Sequence, residues 1–482
     1  MDKLKKANDY IEKNKVDYKE LPEFHVAPQV GWINDPNGFS YYEGMVHLFY
    51  QFHPYSREWG PMHWGHCVSS DLIKWEYYPV ALAPDMKYDM DGCFSGSAIE
   101  TDEGHMLVYT GVTHEENDGK KNEYQNQCVA LGDGKSYKKI ENNPVINGEI
   151  MPQNFSREHF RDPKVWKEDD GYYLVAGNKT NDGKPQVVLF HSKDMYDWRY
   201  VSVLAEDVTG KYGTMWECPD FFEINGQYIL IASPQDMCAD DEFHNGNNSV
   251  YFIGNYDRDM HKFDYNKVYA LDDGIDFYAP QTTLMPDGRR VMIGWMQSWD
   301  SNIRPFKQKW SCMMTVPREI KLIDGRIIQN PVREIKKYYT DSINYVEQTV
   351  EGECSFPKIN GRVLDMTVEI KDGDYDEFKI NFAKNDKFSS SIIYDKSKNE
   401  IEINRLYSGM NRDTIGTVKV RYPKQSLKLR VILDKYSVEI FVNDGSQVLS
   451  MTYYTPVEAD EISFECNNTA VINIEKHGIS VR

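Results

Sequence analysis

Five times between residues 35 and 294 the chain repeats one order of events: a short polar motif, an apolar run, a turn ending in glycine, and a second apolar run. The first copy runs from Asp35-Pro36 through Glu43-Gly44 to Met45–Tyr50. The second runs from Phe94-Ser95-Gly96-Ser97 through Asp102-Glu103-Gly104 to Met106–Tyr109. The third starts at Asp162-Pro163 and turns at Asp169-Asp170-Gly171 into Tyr172–Val175. The fourth starts at Glu217-Cys218-Pro219-Asp220 and turns at Asn225-Gly226 into Tyr228–Ile231. The fifth starts at Tyr278-Ala279-Pro280 and turns at Asp287-Gly288 into Val291–Gly294. Asp-Gly or Asn-Gly between apolar runs is a strong hairpin signal. Copies recur roughly every 55–67 residues, which is room for four strands, and a ring of such sheets hides its edges. Ser70–Trp75 and Ser192–Trp198 echo each other as polar turns closing on tryptophan. The pattern predicts a five-bladed β-propeller over 21–330, each copy's first strand innermost and its motif facing a central cavity.

At 482 residues the chain is long enough for two domains. Residues 1–20 read as a short polar helix, with Leu4, Ala7 and Ile11 on one face. Residues 331–349 read as a charged, helix-like linker. From 350 to 482 period-two alternation dominates, as in Phe378–Phe382, Leu427–Leu433 and Val438–Val442, which predicts an antiparallel β-sandwich. The expected fold class is therefore all-β: propeller, then sandwich, behind a short N-terminal helix. A net charge of −20 argues against nucleic acid and anionic membranes as partners. The start of the chain lacks a signal-peptide pattern, and the eight cysteines form no Cys-x-x-Cys pair, so the expectation is a cytoplasmic protein with reduced thiols. His47, His53, His63 and His66 cluster in sequence, but their spacing fits no ligand template; neither a metal nor any other cofactor is expected.

Three of the repeat motifs carry an acidic residue beside a proline: Asp35 in Trp32–Gly38, Asp162 in Phe160–Pro163, and Glu217 in Trp216–Asp220. Glycoside cleavage uses two carboxyl groups across the scissile bond, one attacking or activating water and one protonating the leaving oxygen. A short aspartate suits a fixed nucleophile, and a longer glutamate suits a group that is acid and then base. Asp35 is accordingly expected as nucleophile and Glu217 as acid/base. Asp162, next to Arg161, is expected to stay ionised and to steady an oxocarbenium-like transition state. The high aromatic content, 13%, suits both β-sheet packing and sugar stacking. Cys218 reads as small filler beside Glu217.

With these motifs the chain resembles glycoside hydrolase family 32, the invertase and β-fructofuranosidase group. The resemblance spans about residues 22–475 and includes Asp276–Ala279 and the late Asp434–Phe441. It implies a five-bladed propeller plus β-sandwich, retaining hydrolysis of terminal β-D-fructofuranosides, and the same three carboxylate roles. It also implies sugar contacts at Trp32, Ile33, Asn34, Gln51, Trp59, Phe94, Ser95, Arg161, Tyr278 and Trp299. The expected substrate is sucrose, sucrose 6-phosphate or a short fructo-oligosaccharide; His63, Arg57 and Lys87 are the cations available for a phosphate. Rival readings are a fructan exo-hydrolase, a fructosyltransferase, an inverting propeller glycosidase and a non-catalytic sugar-binding propeller.

Overall fold

The computed structural model describes residues 2–117, 120–301, 303–305, 307–410, 417–421 and 427–482. Helix Lys3–Asn14 starts at Asp2, whose carboxylate accepts from the backbone N–H groups of Leu4 and Lys5 at 2.9 and 3.2 Å. Its Ala7 is buried, and Asn8 accepts from the backbone N–H of Val80 at 2.9 Å, which seats the helix on the first blade.

Five antiparallel sheets follow in chain order, opened by the strands Gly31–Tyr42, Gly92–Thr101, Phe155–Glu168, Met215–Ile224 and Tyr278–Leu284. This is the five-bladed propeller that the repeat predicts. Between consecutive blades lies one apolar core each: Phe49, Trp64 and Tyr109 between the first and second; Val108, Phe160 and Leu174 between the second and third; Val175, Trp216 and Phe252 between the third and fourth; Ile231, Phe277 and Met292 between the fourth and fifth. The ring closes where Trp310–Ser311, after the second strand of the last blade, pairs in parallel with Gly31 and Trp32 of the first.

The stretch 331–349 holds a 3-10 helix, Arg333–Tyr338, and then the start of the strand Tyr339–Cys354. That strand pairs along nearly the whole of Glu461–Ile479, so the sandwich sheet begins inside the stretch read as linker. Glu461–Ile479 also pairs with Leu364–Asp374 and Glu377–Lys384. The inward faces of these strands enclose Val350, Leu364, Ile380, Phe464 and Ile474. Three further strands of the same sheet, Leu427–Asp434, Ser437–Val442 and Gln447–Thr452, carry Ile432, Phe441 and Val448 into the core shared with the first and fifth blades.

Buried charges fasten the two domains. Asp434 accepts from the backbone N–H groups of Glu23, Phe24 and His25 at 2.7–3.2 Å and lies 2.8 Å from His25 Nδ1. Glu439 lies 2.9 Å from His25 Nε2 and accepts from Arg318 Nε at 2.9 Å and Nη2 at 2.5 Å. Arg318 also donates to Asp272 and to Ser450 of the sandwich. Arg405 reaches Asp276 of the propeller in the same way.

Candidate active site

At the motif of every innermost strand the ladder slips. The register breaks between Ile33 and Pro36, Phe94 and Gly96, Arg161 and Lys164, Glu217 and Asp220, and Tyr278 and Gln281. Such a bulge leaves a residue unpaired and re-aims its side chain. That is a place where proline, which lacks an N–H, does no harm: Pro163, Pro219 and Pro280 each sit inside a bulge, and Pro36 closes one. Asp162, Cys218 and Ala279, the residues before the first three of these prolines, have φ of 64°, 48° and 51°. Left-handed backbone at non-glycine residues is costly and persists where the surroundings hold it. The residues opposite these three bulges are small, Ala176, Ala232 and Gly294. The acidic-proline motif is thus a bulge with the acidic residue in it or at its edge: Asp35 and Asp162 lie inside theirs, and Glu217 borders its own.

Asp35 receives the Ser95 hydroxyl at 2.6 Å on Oδ2 and the Asn34 amide at 3.1 Å on Oδ1. Asn34 is itself held by Trp32, whose indole N–H donates to Asn34 Oδ1 at 3.0 Å. The Cys218 thiol lies 3.6 Å from both Asp35 Oδ2 and Asp162 Oδ2, joining two carboxylates from two blades. Asp162 also accepts from the Cys218 backbone N–H at 2.9 Å, while its own N–H donates to Thr110 Oγ1 at 3.0 Å. Glu217 is gripped by three donors: Arg161 Nε at 3.0 Å on Oε1, and Gln235 Nε2 at 2.9 Å and the Tyr278 hydroxyl at 2.7 Å on Oε2. Three carboxylates thus meet in one hydrogen-bonded cluster with one guanidinium committed to it.

Burial pushes the Asp35 carboxyl up to about 6, helped by the charge of Glu217 and opposed by the Ser95, Asn34 and Cys218 hydrogen bonds. Asp162 is raised to about 7 by burial and then by Glu217, more than Arg161 lowers it. The expectation that Arg161 would keep Asp162 ionised is therefore corrected: the guanidinium Nε is bound to Glu217 of the next blade. Burial, and then the neighbouring carboxylates, hold the Cys218 thiol well above its ordinary value, so it remains a protonated donor. It is more than filler.

The other expected contacts fall at different depths. Trp32, Asn34, Ser95, Arg161 and Tyr278 belong to the hydrogen-bonded set just described. Gln51 is buried and donates to the Cys93 carbonyl at 2.9 Å, tying the first blade to the second. Phe94 lies edge-on to Trp59 at 5.9 Å between centroids, and Trp59 is 48% exposed. Trp299, 39% exposed, stands edge-on to the buried Trp295, which in turn meets Trp32 and Tyr278. Ile33, also expected as a sugar contact, is fully buried in the apolar core, between two site-facing neighbours on its strand. Of the clustered histidines, His47 and His66 hydrogen-bond each other at 3.1 Å, while His53 and His63 lie against the backbone carbonyls of Glu58 and Pro61. Sequence reading missed Gln235, Thr110, Trp295 and Gln125, which accepts from Arg161 Nη1 at 3.4 Å. Only Gln235 carries a local signal, a further proline-flanked polar residue at the end of a hairpin.

The model of the glycosyl hydrolases family 32 N-terminal domain matches residues 25–331, and that of the family 32 C-terminal domain matches residues 334–479. A sucrose-6-phosphate hydrolase of Escherichia coli is 34% identical over 95% of this chain and 93% of its own length. A raffinose invertase of Escherichia coli is 36% identical over 92% and 91%. Among solved structures, a mutant of a Bombyx mori GH32 beta-fructofuranosidase in complex with sucrose superposes with a TM-score of 0.86, at 33% identity, covering 99% of this chain and 98% of that one.

Proposed function

The chain belongs to glycosyl hydrolase family 32, and from that premise we propose that it is a retaining β-fructofuranosidase acting on sucrose, sucrose 6-phosphate or both. Asp35 attacks the anomeric carbon of the fructosyl unit while Glu217 gives its proton to the glycosidic oxygen, and the glucosyl part departs as an alcohol. The ester formed on Asp35 is then hydrolysed: Glu217 takes a proton from water, the hydroxide oxygen bonds to the anomeric carbon, and Asp35 leaves as a carboxylate. Asp162 binds sugar hydroxyls and, in its ionised form, offsets the positive charge that develops on the ring. Arg161, Gln235 and Tyr278 fix the rotamer of Glu217, and Ser95 and Asn34 aim Asp35.

The observation that carries the reading is the convergence of Asp35, Asp162 and Glu217 at equivalent bulges of three blades, two of them joined through one thiol. The propeller, residues 21–330, is the catalytic unit in this reading, and the sandwich buttresses it. A cytoplasmic setting is supported by the eight cysteines, all free thiols; among the described residues no helix is long and apolar enough to cross a membrane. Asp35→Ala, Asp162→Ala and Glu217→Ala are each expected to lower kcat on sucrose by about 10³-fold or more. Near-native turnover by any one of them would remove that residue from the mechanism.

A further inference from the structure

The cavity floor is acidic, with three carboxylates around one committed guanidinium, in a chain of net charge −20. A substrate whose leaving sugar bears a phosphate meets repulsion there unless a cation stands at the rim. Two rim segments meet beside Trp32, one bearing Trp59 and the other Trp299. Arg57 joins them by donating from Nη1 to the carbonyls of Pro305 at 2.7 Å and Gln308 at 3.1 Å, so its guanidinium holds the loops together. His63 is buried against the Pro61 carbonyl, and burial pushes its ring down to about 4, which leaves it neutral. Neither suits an anion.

Arg304 differs. Its Nη1 donates to the Glu58 carboxylate, its Nε is buried with no hydrogen-bond partner among the described residues, and its guanidinium carbon lies 5.9 Å from the centroid of the Trp32 ring. Trp32 holds Asn34, and Asn34 holds Asp35, so this cation is two hydrogen bonds and one ring contact from the attacking carboxylate. The Glu58 side chain is 67% exposed and that of Arg304 34%. An ion pair so open to water contributes little to stability, and a better anion can displace the carboxylate.

We propose that Arg304 is a specificity-determining residue that reads a phosphate monoester on the leaving sugar, and that Glu58 occupies it when that phosphate is absent. The assignment rests on the fructosidase reading above. A phosphate ester carries about −1.5 to −2 charge and three acceptor oxygens, which match the planar donor fork of arginine better than one shared carboxylate oxygen does. Glu58 is then a competitor whose removal favours the phosphorylated substrate.

The test is the ratio of kcat/KM for sucrose 6-phosphate to that for sucrose, measured for the wild type, Arg304→Gln and Glu58→Gln. The ratio is expected to fall about 10- to 100-fold in Arg304→Gln and to rise in Glu58→Gln, with the wild-type ratio falling as salt is added. A pair that merely braces the rim would move both variants in the same direction, and that result overturns the assignment, as does an unchanged ratio in either. Turnover of sucrose without turnover of its 6-phosphate in the wild type overturns it too, while leaving the fructosidase reading intact. If the wild type cleaves neither sugar, the fructosidase reading itself fails.

Discussion

Asp35 is held by donors and is nonetheless less acidic than a free aspartate, because burial and the charge of Glu217 outweigh the Ser95, Asn34 and Cys218 hydrogen bonds. In its proposed role as nucleophile it works only when ionised, so kcat/KM is expected to fall as pH drops through about 6. Ser95 donates to the anion and stabilises it. Ser95→Ala therefore raises the Asp35 pKa further and should move the acid limb of the kcat/KM profile up by about one pH unit. A limb that stays in place, or moves down, would take Ser95 out of that role. The three carboxylates were legible in the sequence because each sits in a motif of its own. The partner of Arg161 was not: adjacency to Asp162 suggested one, but sequence neighbours on a strand do not share a face. At this bulge the guanidinium Nε crosses to Glu217 of the next blade. The thiol of Cys218 was equally hidden, since its two acceptors arrive from two other strands.

At the scale of elements, the five hairpins were readable from turns that end in glycine, three of them Asp-Gly or Asn-Gly and two Glu-Gly, whose conformational demands are local. The bulges were not, because a register slip is a property of two strands. Prolines marked them, yet a proline is equally at home in an ordinary turn. Close packing behind the bulges is what keeps the acidic residues aimed. A Cβ added at Gly177 would lie 2.2 Å from the carbonyl oxygen of Trp216, the residue before Glu217. Gly177→Ala must therefore displace backbone next to Glu217, the proposed acid/base. It should cost about 1–3 kcal/mol of stability and lower kcat about tenfold or more. Measured by denaturant titration and initial rates, a stability loss with unchanged kcat would show that the bulge tolerates movement.

At the scale of the whole molecule, the joint between propeller and sandwich depends on charges far apart in sequence: His25, Arg318, Asp434 and Glu439. The Asp434–Phe441 stretch was visible as a motif, but its task was not, since its charged partners lie 121 to 414 residues away. Burial alone would lower His25, but hydrogen bonds from it to Asp434 and Glu439 hold it up at about 9. A folded-state value above the unfolded one means that this contribution is complete below about 6.5 and is lost as pH rises through 9. Glu439→Gln leaves buried Arg318 and His25 short of a charge and should cost about 3–5 kcal/mol. It should also flatten the decline in stability between pH 7 and 9; thermal unfolding across that range checks both, and an unchanged slope would mean that His25 does not titrate there. In the proposed mechanism this scaffold brings three side chains from three blades to one sugar. The most direct check is the covalent step. Glu217→Ala, given β-D-fructofuranosyl fluoride, whose leaving group needs no acid, should accumulate a fructosyl ester because the base for its hydrolysis is gone. Acid quenching, proteolysis and mass spectrometry should then find one anhydrohexose on the peptide that contains Asp35. Turnover of the fluoride with no adduct, or an adduct on a peptide lacking Asp35, would contradict the account.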